Sequence, residues 1–305
     1  MNLIRNTFKH RALLAMALPG IILIFMFSYM PMFGIVVAFK KFNFGDGIFG
    51  SPWVGFDNFK FLFNSGATTW RLIRNTVGYY LLFTIVGTIG NVALAIALNE
   101  CLSKRFAKVS QTFMILPTFI SWIAVTFIVK ALLDGQNGMI NHLLISLGKD
   151  TVQWYTSPDK WPVILLIVNM WKGVGYGSIL YLSALAGMDQ EMFEAAELDG
   201  ATKRQQIFYI TLPMLTSMIS IMTLMSLGGI MSSNTGLFYQ VTKNIGILYP
   251  TTQTIDAYIM NALMSGSSNF GMTSAVTFFQ SFVGCVMVVG TNLLVRRWEP
   301  DNSLF

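Results

Sequence analysis

The feature that most constrains this chain is a series of apolar segments, each long enough to cross a lipid bilayer. A spanning helix needs about 20 predominantly apolar residues. Only 11% of the 305 residues are charged, whereas a soluble domain carries about 25%. The sequence therefore predicts an all-α integral membrane protein with about six transmembrane helices in a single domain, residues 1–305. The expected spans cover about 12–39, 76–98, 113–133, 162–186, 214–231 and 273–295.

The distribution of lysine and arginine predicts which side of the membrane each loop occupies. The N-terminus, residues 99–112, residues 187–213 and the C-terminus together carry ten basic residues, and the opposite loops carry eight over a longer stretch. The denser set is expected in the cytoplasm, which places both termini there. A stretch around Arg71 and Arg74 is predicted as a short interfacial helix before the second span.

The net charge of +6 does not indicate nucleic-acid binding, because the basic residues cluster at the ends of apolar runs. Neither Cys101 nor Cys285 belongs to a C-x-x-C pair. His10 and His142 have no second ligand at metal-binding spacing. The sequence therefore predicts neither a metal site nor a nucleic-acid partner.

The loop after the fourth span has the local signals of two helices separated by a glycine. Asp189 is a preferred N-cap residue for the first helix. Gly200 stands where a left-handed residue would end that helix. Thr202 and Gln205 have the spacing of a capping box for the second helix, and Pro213 marks the predicted entry to the fifth span.

Two interpretations of the first loop helix are open from its pattern. One side is apolar, and the other carries Glu191, Glu194 and Glu197. The small residues Ala195 and Ala196 would let another surface approach closely. An amphipathic loop helix is more often a structural support on the membrane than a docking site, so the pattern alone favours the support.

The spacing within the loop favours docking instead. Seven positions carry the argument: Glu194, Ala195, Ala196, Gly200, Ile210, Leu212 and Pro213. At this spacing they resemble the signature loop of the permease subunits of binding-protein-dependent bacterial ABC importers. At average residue frequencies, a chance match anywhere in the chain has odds of about 10⁻⁶. Four further stretches are similar to carbohydrate-uptake permeases for oligosaccharides or polysaccharide fragments: residues 29–34, 51–55, 116–122 and 171–177.

The resemblance implies a cytoplasmic coupling-helix loop, residues 187–213, which we call the signature loop. In this family Glu194, Ala195, Ala196 and Gly200 would be the ATPase-coupling residues. The implied partners are a cytoplasmic dimer of ATP-binding subunits, a second permease subunit in a heterodimer, and an extracytoplasmic solute-binding protein. The implied location is the bacterial cytoplasmic (inner) membrane.

The chain has no G-x-x-x-x-G-K-[ST] motif, the loop that cradles nucleotide phosphates in many ATPases. We therefore expect a transport subunit that is not itself an enzyme and holds no cofactor. ATP and Mg²⁺ would be bound by the partner ATPase. This expectation agrees with a loop that docks onto such a partner.

Polar and aromatic side chains near the middle of the fourth span are candidate contacts along a substrate pathway. They are Asn169, Trp171, Lys172, Tyr176 and Tyr181. Aromatic rings and hydrogen-bonding groups suit sugars, and Lys172 would add attraction for an acidic sugar. The alternative is that Gly173, Gly175 and Gly177 serve close helix packing, with the neighbouring aromatics as filler. The pattern favours packing slightly.

The main alternative function is an ion-coupled secondary transporter. It would need intramembrane acidic residues or broken helices, and no Asp or Glu lies clearly in the middle of a predicted span. A membrane-embedded enzyme would need a catalytic cluster at one depth, whereas the acidic residues gather in the signature loop. The sequence therefore favours a permease subunit of an ATP-driven carbohydrate importer.

Overall fold

The computed structural model of the protein describes residues 11–64, 66–265 and 270–298. Within these ranges the chain is helical apart from turns and one isolated antiparallel bridge, between Lys40 and Trp53. Five helices are long and apolar enough to cross a membrane, and two further helices that meet at a sharp bend make a sixth span when they are counted together. The predicted all-α membrane fold is confirmed. The spans run over Leu13–Phe39, Gly66–Asn99, Lys104–Phe119 with Trp122–Leu133, Pro158–Ala186, Lys203–Gly229 and Phe270–Arg297.

The described helices belong to two compact units, and each is treated separately. Among the described residues, the first unit comprises 11–64, 66, 265 and 270–279, and the second comprises 67–264 and 280–298. The α-helix of the sixth span, Phe270–Trp298, contributes to both.

The first span is not one regular α-helix. It consists of an α-helix over Arg11–Ile24, a π-helical turn over Phe25–Tyr29 and a 3-10 helix over Met30–Phe39. Pro31 lies in the first turn of the 3-10 segment. Proline has no N–H to donate and its ring crowds the preceding turn, so the hydrogen-bond pattern changes at this point.

A buried asparagine organises the rest of the first unit. The Nδ2 atom of Asn58 donates hydrogen bonds to the carbonyl oxygens of Ala38 and Lys40, each at 2.9 Å. This brings Phe59 against Ala38 and Ala275 in a small apolar core. The short helices that follow the first span cover Gly47–Gly50, Asp57–Phe59 and Lys60–Asn64.

The second unit is built around the fourth span, whose α-helix covers Trp161–Ala186. Trp161, Leu165 and Val168 are buried and repeat at i, i+4 and i+7, so they share one helix face. That face makes the fourth span the scaffold of this unit. The buried residues packed into the same core are Tyr79, Val125, Val129, Leu133, Leu237, Phe238, Val241, Leu248 and Ala257.

The second span is longer than predicted, because its α-helix covers Gly66–Asn99 without a break. The predicted short interfacial helix around Arg71 and Arg74 is therefore wrong, since both residues belong to this helix. Side chains of Arg71 and Arg74 donate to Gln253 Oε1 and to the carbonyl oxygen of Pro250, each at 2.8 Å. These polar anchors are 176 to 182 residues away in sequence, so local pattern did not reveal them.

The third span is broken, whereas an uninterrupted helix over 113–133 was predicted. An α-helix over Lys104–Ile115 continues as a 3-10 turn over Leu116–Phe119, and a second α-helix covers Trp122–Leu133. The two parts meet at 100°. Pro117 lies in the 3-10 turn, and Ser121 caps the second helix by accepting from the Ala124 N–H at 3.2 Å.

The fifth span begins before the predicted residue 214. Helical turns run from Lys203–Gln206 through a π-helical turn over Ile207–Thr211 into the α-helix Leu212–Ser226, and they end in a 3-10 turn over Leu227–Gly229. Pro213 is therefore inside the helix, and its predicted role as the span boundary is wrong. The π-helical turn directly before it changes the local hydrogen-bond pattern where proline lacks a donor.

Shorter helices connect the spans of the second unit. One buried polar group, Asn141, holds the connection between the third and fourth spans: it accepts from Val152 N at 3.0 Å and donates to the carbonyl oxygens of Gly135 and Val152. These connecting helices cover Met139–Ser146, Trp154–Thr156, Pro158–Lys160, Gly236–Val241, Gly246–Leu248, Tyr249–Thr252 and Ile255–Met264.

Candidate functional site

The first helix of the signature loop covers Gln190–Leu198, and both of its ends have the predicted chemistry. Asp189 caps the start, because its Oδ1 accepts from the Glu191 N–H at 3.0 Å. Gly200 ends it with a φ of 83°, a left-handed conformation that glycine adopts without strain. The N–H of Gly200 donates to the carbonyl of residue 197 at 3.0 Å, and that of residue 201 to the carbonyl of residue 196 at 2.9 Å. These two bonds form a Schellman motif.

The second helix of the signature loop begins with the predicted capping box. The N–H of Thr202 donates to Gln205 Oε1 at 2.7 Å, and the N–H of Gln205 donates to Thr202 Oγ1 at 3.4 Å. Each side chain therefore satisfies a backbone donor that the first helical turn leaves open. The helix–glycine–helix prediction for this loop is confirmed.

Gln206 joins the two loop helices and was not identified from the sequence. Its side chain is only 3% exposed. Its Nε2 donates to the carbonyl oxygen of Phe193 at 3.4 Å, and its Oε1 accepts from Lys203 Nζ at 3.1 Å. The loop is thus a connected unit and not two independently hinged helices. A single glutamine in a polar loop has no sequence pattern that would mark this role.

The outward surface of the first loop helix is short and acidic. Glu194, Ala195 and Glu197 are exposed, and Ala196 is half-buried. Leu198 next to them is 89% exposed. The predicted coupling residues are therefore together on an accessible helix that the capping bonds and Gln206 hold in place.

A cavity of about 220 Å³ lies between the second, fourth and fifth spans. Its polar groups are hydroxyls and an amide, and the described residues around it carry no charge. Tyr181 and Thr88 both line its wall. The lining residues are Phe83, Thr84, Gly87, Thr88, Asn91, Gly177, Leu180, Tyr181, Met222, Thr223 and Ser226.

A second cavity of about 230 Å³ shares two lining residues, Phe83 and Thr84, with the first. Together they follow the second span from Thr76 to Asn91, about 22 Å at the rise of an α-helix. We call the hydroxyl and amide groups that interrupt this mostly apolar lining the polar track. The remaining residues of the second cavity are Tyr79, Tyr80, Ser232, Ser233, Asn234 and Phe238.

The carboxylate of Asp256, which does not itself line the second cavity, holds the lining residue Ser233 in place. Asp256 Oδ2 accepts hydrogen bonds from the backbone N–H of Ser233 at 2.6 Å, from Ser233 Oγ at 3.1 Å and from Gln280 Nε2 at 3.3 Å. Burial raises the pKa of Asp256 above its usual range, and the bonds from Ser233 and Gln280 oppose that rise. The network fixes Ser233 at the cavity.

The structure brings only Tyr181 of the five predicted pathway residues to this cavity. Trp171 and Tyr176 are 43% and 59% exposed and lie outside it, as does Asn169. Close packing accounts for two glycines of the fourth span, Gly175 and Gly177, because a Cβ at either would clash with a neighbouring span. A Cβ at Gly175 would fall on the Met114 carbonyl oxygen.

Lys172 contacts the third span. Its Nζ donates to the carbonyl oxygens of Pro117 at 3.0 Å, Thr118 at 2.8 Å and Ile120. An ammonium group has three N–H donors, so all of them are engaged by the break in the third span. The expected role of Lys172 in attracting an acidic sugar is therefore not supported.

The polar groups that the second span contributes to the track were not identified from the sequence. Thr84, Thr88 and Asn91 are spaced at i, i+4 and i+7, which places them on one helix face. That spacing was a usable signal, because a polar stripe on an otherwise apolar span marks an interior face. Among the described residues there is no cluster of three or more metal-ligating side chains.

The amino-acid sequence of this chain matches a known protein family and several curated relatives. Residues 87–300 match the family described as binding-protein-dependent transport system inner membrane component. Protein LplB of Bacillus subtilis (strain 168) is 30% identical over 295 residues, which cover 96% of this chain and 91% of that protein. The polygalacturonan/rhamnogalacturonan transport system permease protein YteP of the same strain is 29% identical over 294 residues, 96% of this chain and 90% of that protein.

Two crystal structures contain a chain of the same fold. One is a bacterial ABC transporter involved in the import of the acidic polysaccharide alginate, with a TM-score of 0.86, 32% identity and coverage of 97% of this chain and 99% of that chain. The other is the bacterial alginate ABC transporter in complex with an alginate pentasaccharide-bound periplasmic protein, with a TM-score of 0.85, 32% identity and coverage of 97% and 98%.

The family match includes the signature loop and most of the polar track, and none of these likenesses supports an ion-coupled secondary transporter. The chain therefore belongs to the family of binding-protein-dependent transport system inner membrane components, as a multi-pass inner-membrane permease subunit of a sugar ABC importer.

Proposed function

We propose that this chain forms one half of the membrane path of an ATP-driven importer whose cargo is an oligosaccharide or a polysaccharide fragment. The observation that carries the proposal is the polar track, which offers hydroxyl and amide groups along about 22 Å of the second span. Such groups exchange hydrogen bonds with sugar hydroxyls. Relatives named for polygalacturonan, rhamnogalacturonan and alginate support a cargo of this chemical class.

The other half of the path would come from a second permease subunit, in a heterodimer. Asn169 and Tyr176 are seven residues apart and therefore share a face of the fourth span. Tyr176 is 59% exposed, which leaves a polar and aromatic face for the partner or for cargo between the two subunits. In this arrangement Asn169 and Tyr176 belong to the path only in the assembled pair.

The signature loop would dock on a cytoplasmic dimer of ATP-binding subunits. Glu194 would present its charge to the ATPase, Ala195 and Ala196 would keep the contact surface flat, and Gly200 would set the angle between the loop helices. ATP and Mg²⁺ would be bound on the ATPase, so this chain would hold no cofactor and would not be an enzyme. Exposure of Glu194 and Ala195 supports this role.

Cargo would be delivered by an extracytoplasmic solute-binding protein. The family description specifies such a protein, and the solved alginate transporter is in complex with a periplasmic one. We propose that the segment between the fifth and sixth spans carries part of its docking surface. That segment includes the helix Ile255–Met264.

Replacing Tyr181 with phenylalanine tests the polar track as the sugar pathway. The change removes one hydroxyl from the cavity and keeps the ring. Loss of one hydrogen bond costs about 1 kcal/mol, so we expect uptake efficiency to fall about fivefold. The measurement is uptake of a labelled oligosaccharide panel, including an alginate pentasaccharide and oligogalacturonates, into proteoliposomes that contain the full transporter.

The matched control is Trp171→Phe on the same helix, since Trp171 lies outside the cavity. We expect its uptake to stay within twofold of the wild type. Equal losses in the two variants would remove the support for the track as the path.

Both termini and the signature loop are proposed to be cytoplasmic, and labelling of Cys101 tests this orientation. Cys101 follows the second span and is partly accessible. In a Cys285→Ala background, a membrane-impermeant maleimide should label Cys101 only after the membrane is permeabilised. Full labelling in intact cells would place this loop, and with it the signature loop, outside.

A further inference from the structure

The break in the third span meets a lysine near the middle of the fourth span. Lys172 is the twelfth residue of the 26-residue helix Trp161–Ala186. Its Nζ contacts the carbonyl oxygens of Pro117, Thr118 and Ile120. Thr118 returns the contact, since its Oγ1 donates to the carbonyl oxygen of Lys172 at 2.7 Å. The two spans are therefore linked in both directions at this point.

These contacts stabilise both the carbonyl groups at the break and the charge of Lys172. The end of a helix leaves carbonyl groups without intrahelical donors, and no water satisfies them inside the bilayer. A lysine charge at that depth is equally costly alone. The carbonyl end of a helix carries partial negative charge that favours a cation. In the described part of the chain the single ion pair joins Lys60 to Asp57, so the charge of Lys172 is stabilised by carbonyl oxygens of the broken helix and not by a carboxylate.

Close backbone packing surrounds this contact. Gly175, one turn after Lys172, leaves no room for a Cβ beside the carbonyl of Met114. Trp122 begins the second helix of the broken span, and Lys172 Nζ lies 5.2 Å from its ring centre, within cation–π range. A Cβ at Gly236 would in turn fall on the ring of Trp122.

The break therefore positions a wall of the polar track. The helix Trp122–Leu133 packs on Gly236–Val241 through Val125 and Val129. Phe238 in that segment lines the second cavity. A change in the angle at the break would move Phe238 although Lys172 itself does not line either cavity.

We propose that Lys172 is a positioning residue for transport, which locks the break of the third span onto the fourth span and so sets the wall of the path without contacting cargo. This inference rests on the proposed transport function. The fourth span is followed, after three residues, by the first helix of the signature loop. Lys172 thus links the helix next to the ATPase-docking surface with the segment that lines the track.

The test combines a distance measurement with transport kinetics. Spin labels at Lys108 and Phe127, one on each side of the break, are introduced in a cysteine-free background of the full transporter. Both positions are exposed. Lys172→Met should shift or broaden the distance distribution and lower sugar transported per ATP at least tenfold, with the KM for sugar within twofold of wild type. Lys172→Arg, which keeps a cation and donors, should restore both within threefold.

Thr118→Val is the second variant, because it removes only the returning hydrogen bond and keeps the charge. It should shift the distances in the same direction by a smaller amount, and it decides the question if Lys172→Met does not assemble. Lys149→Met, at an exposed lysine, is the control and should change neither readout. Unchanged distances with a raised KM would overturn the proposal, since they indicate contact with cargo. Absence of ATP-driven uptake by the wild-type transporter would instead contradict the proposed function and leaves the distance result as a separate test of the lock.

Discussion

Replacing Gly175 with alanine is expected to cause a large loss of folded protein. The added Cβ would fall on the backbone of Met114 and lie 3.0 Å from the Ile115 nitrogen. Overpacking typically costs about 1–3 kcal/mol, and a backbone neighbour cannot move aside as a flexible side chain can. We therefore expect a loss of folding stability of about 3 kcal/mol, the upper end of this range. The yield of monodisperse transporter after mild detergent extraction should fall at least fivefold.

Gly173→Ala is the matched control, two residues away on the same helix. A Cβ at Gly173 meets nothing within 4 Å, and alanine favours helix over glycine by about 1 kcal/mol. This variant should be extracted at the wild-type yield or better. If Gly175→Ala matched Gly173→Ala in yield and thermal stability, the close contact between the third and fourth spans would be wrong.

Replacing Gly200 with valine is expected to uncouple the transporter while most of the fold is kept. Gly200 has a φ of 83°, and a Cβ there would meet no atom within 4 Å. The cost is therefore conformational, about 1–2 kcal/mol for an L-residue in the left-handed region and more for a β-branched one. We expect the Schellman motif to open and recovery of the ATPase with the tagged chain to fall at least tenfold.

The control for this strain is Gly148→Val. Gly148 also has a left-handed φ, 70°, with open space for a Cβ, but it lies in the connection between the third and fourth spans. The Gly148→Val variant should bear a similar backbone strain. The transporter that contains it should still co-purify with the ATPase and take up sugar at the wild-type rate. Wild-type uptake by Gly200→Val would contradict the role assigned to Gly200 in coupling.

Local signals predicted the signature loop well, because its structure depends on neighbours in sequence. The cap at Asp189, the left-handed Gly200 and the Thr202–Gln205 box all involve partners within five residues. Gln206 was missed because its partner, Phe193, is on the other loop helix, and its side chain must be placed before the contact is visible. Gln206 contacts Phe193 because the turn at Gly200 brings the two loop helices together.

Long-range contacts explain the errors in the spans. Pro117 alone does not predict a 100° break, since prolines also occur in kinked continuous helices. The break is stabilised by Lys172, which is 55 residues from Pro117. The same contact engages the three N–H donors of Lys172. Tyr181 lines the first cavity, and its neighbours there from the second span were not identified from the sequence.

The central claim, that this chain is the permease subunit of an ATP-driven importer docked through its signature loop, is tested most directly by co-purification. The tagged chain is extracted from its native membrane in a mild detergent, and the proteins recovered in stoichiometric amounts are identified. The account predicts an ATP-binding subunit and a second permease, with the ATPase lost in Gly200→Val and retained in Gly148→Val. Recovery of the chain alone in several mild detergents would contradict it.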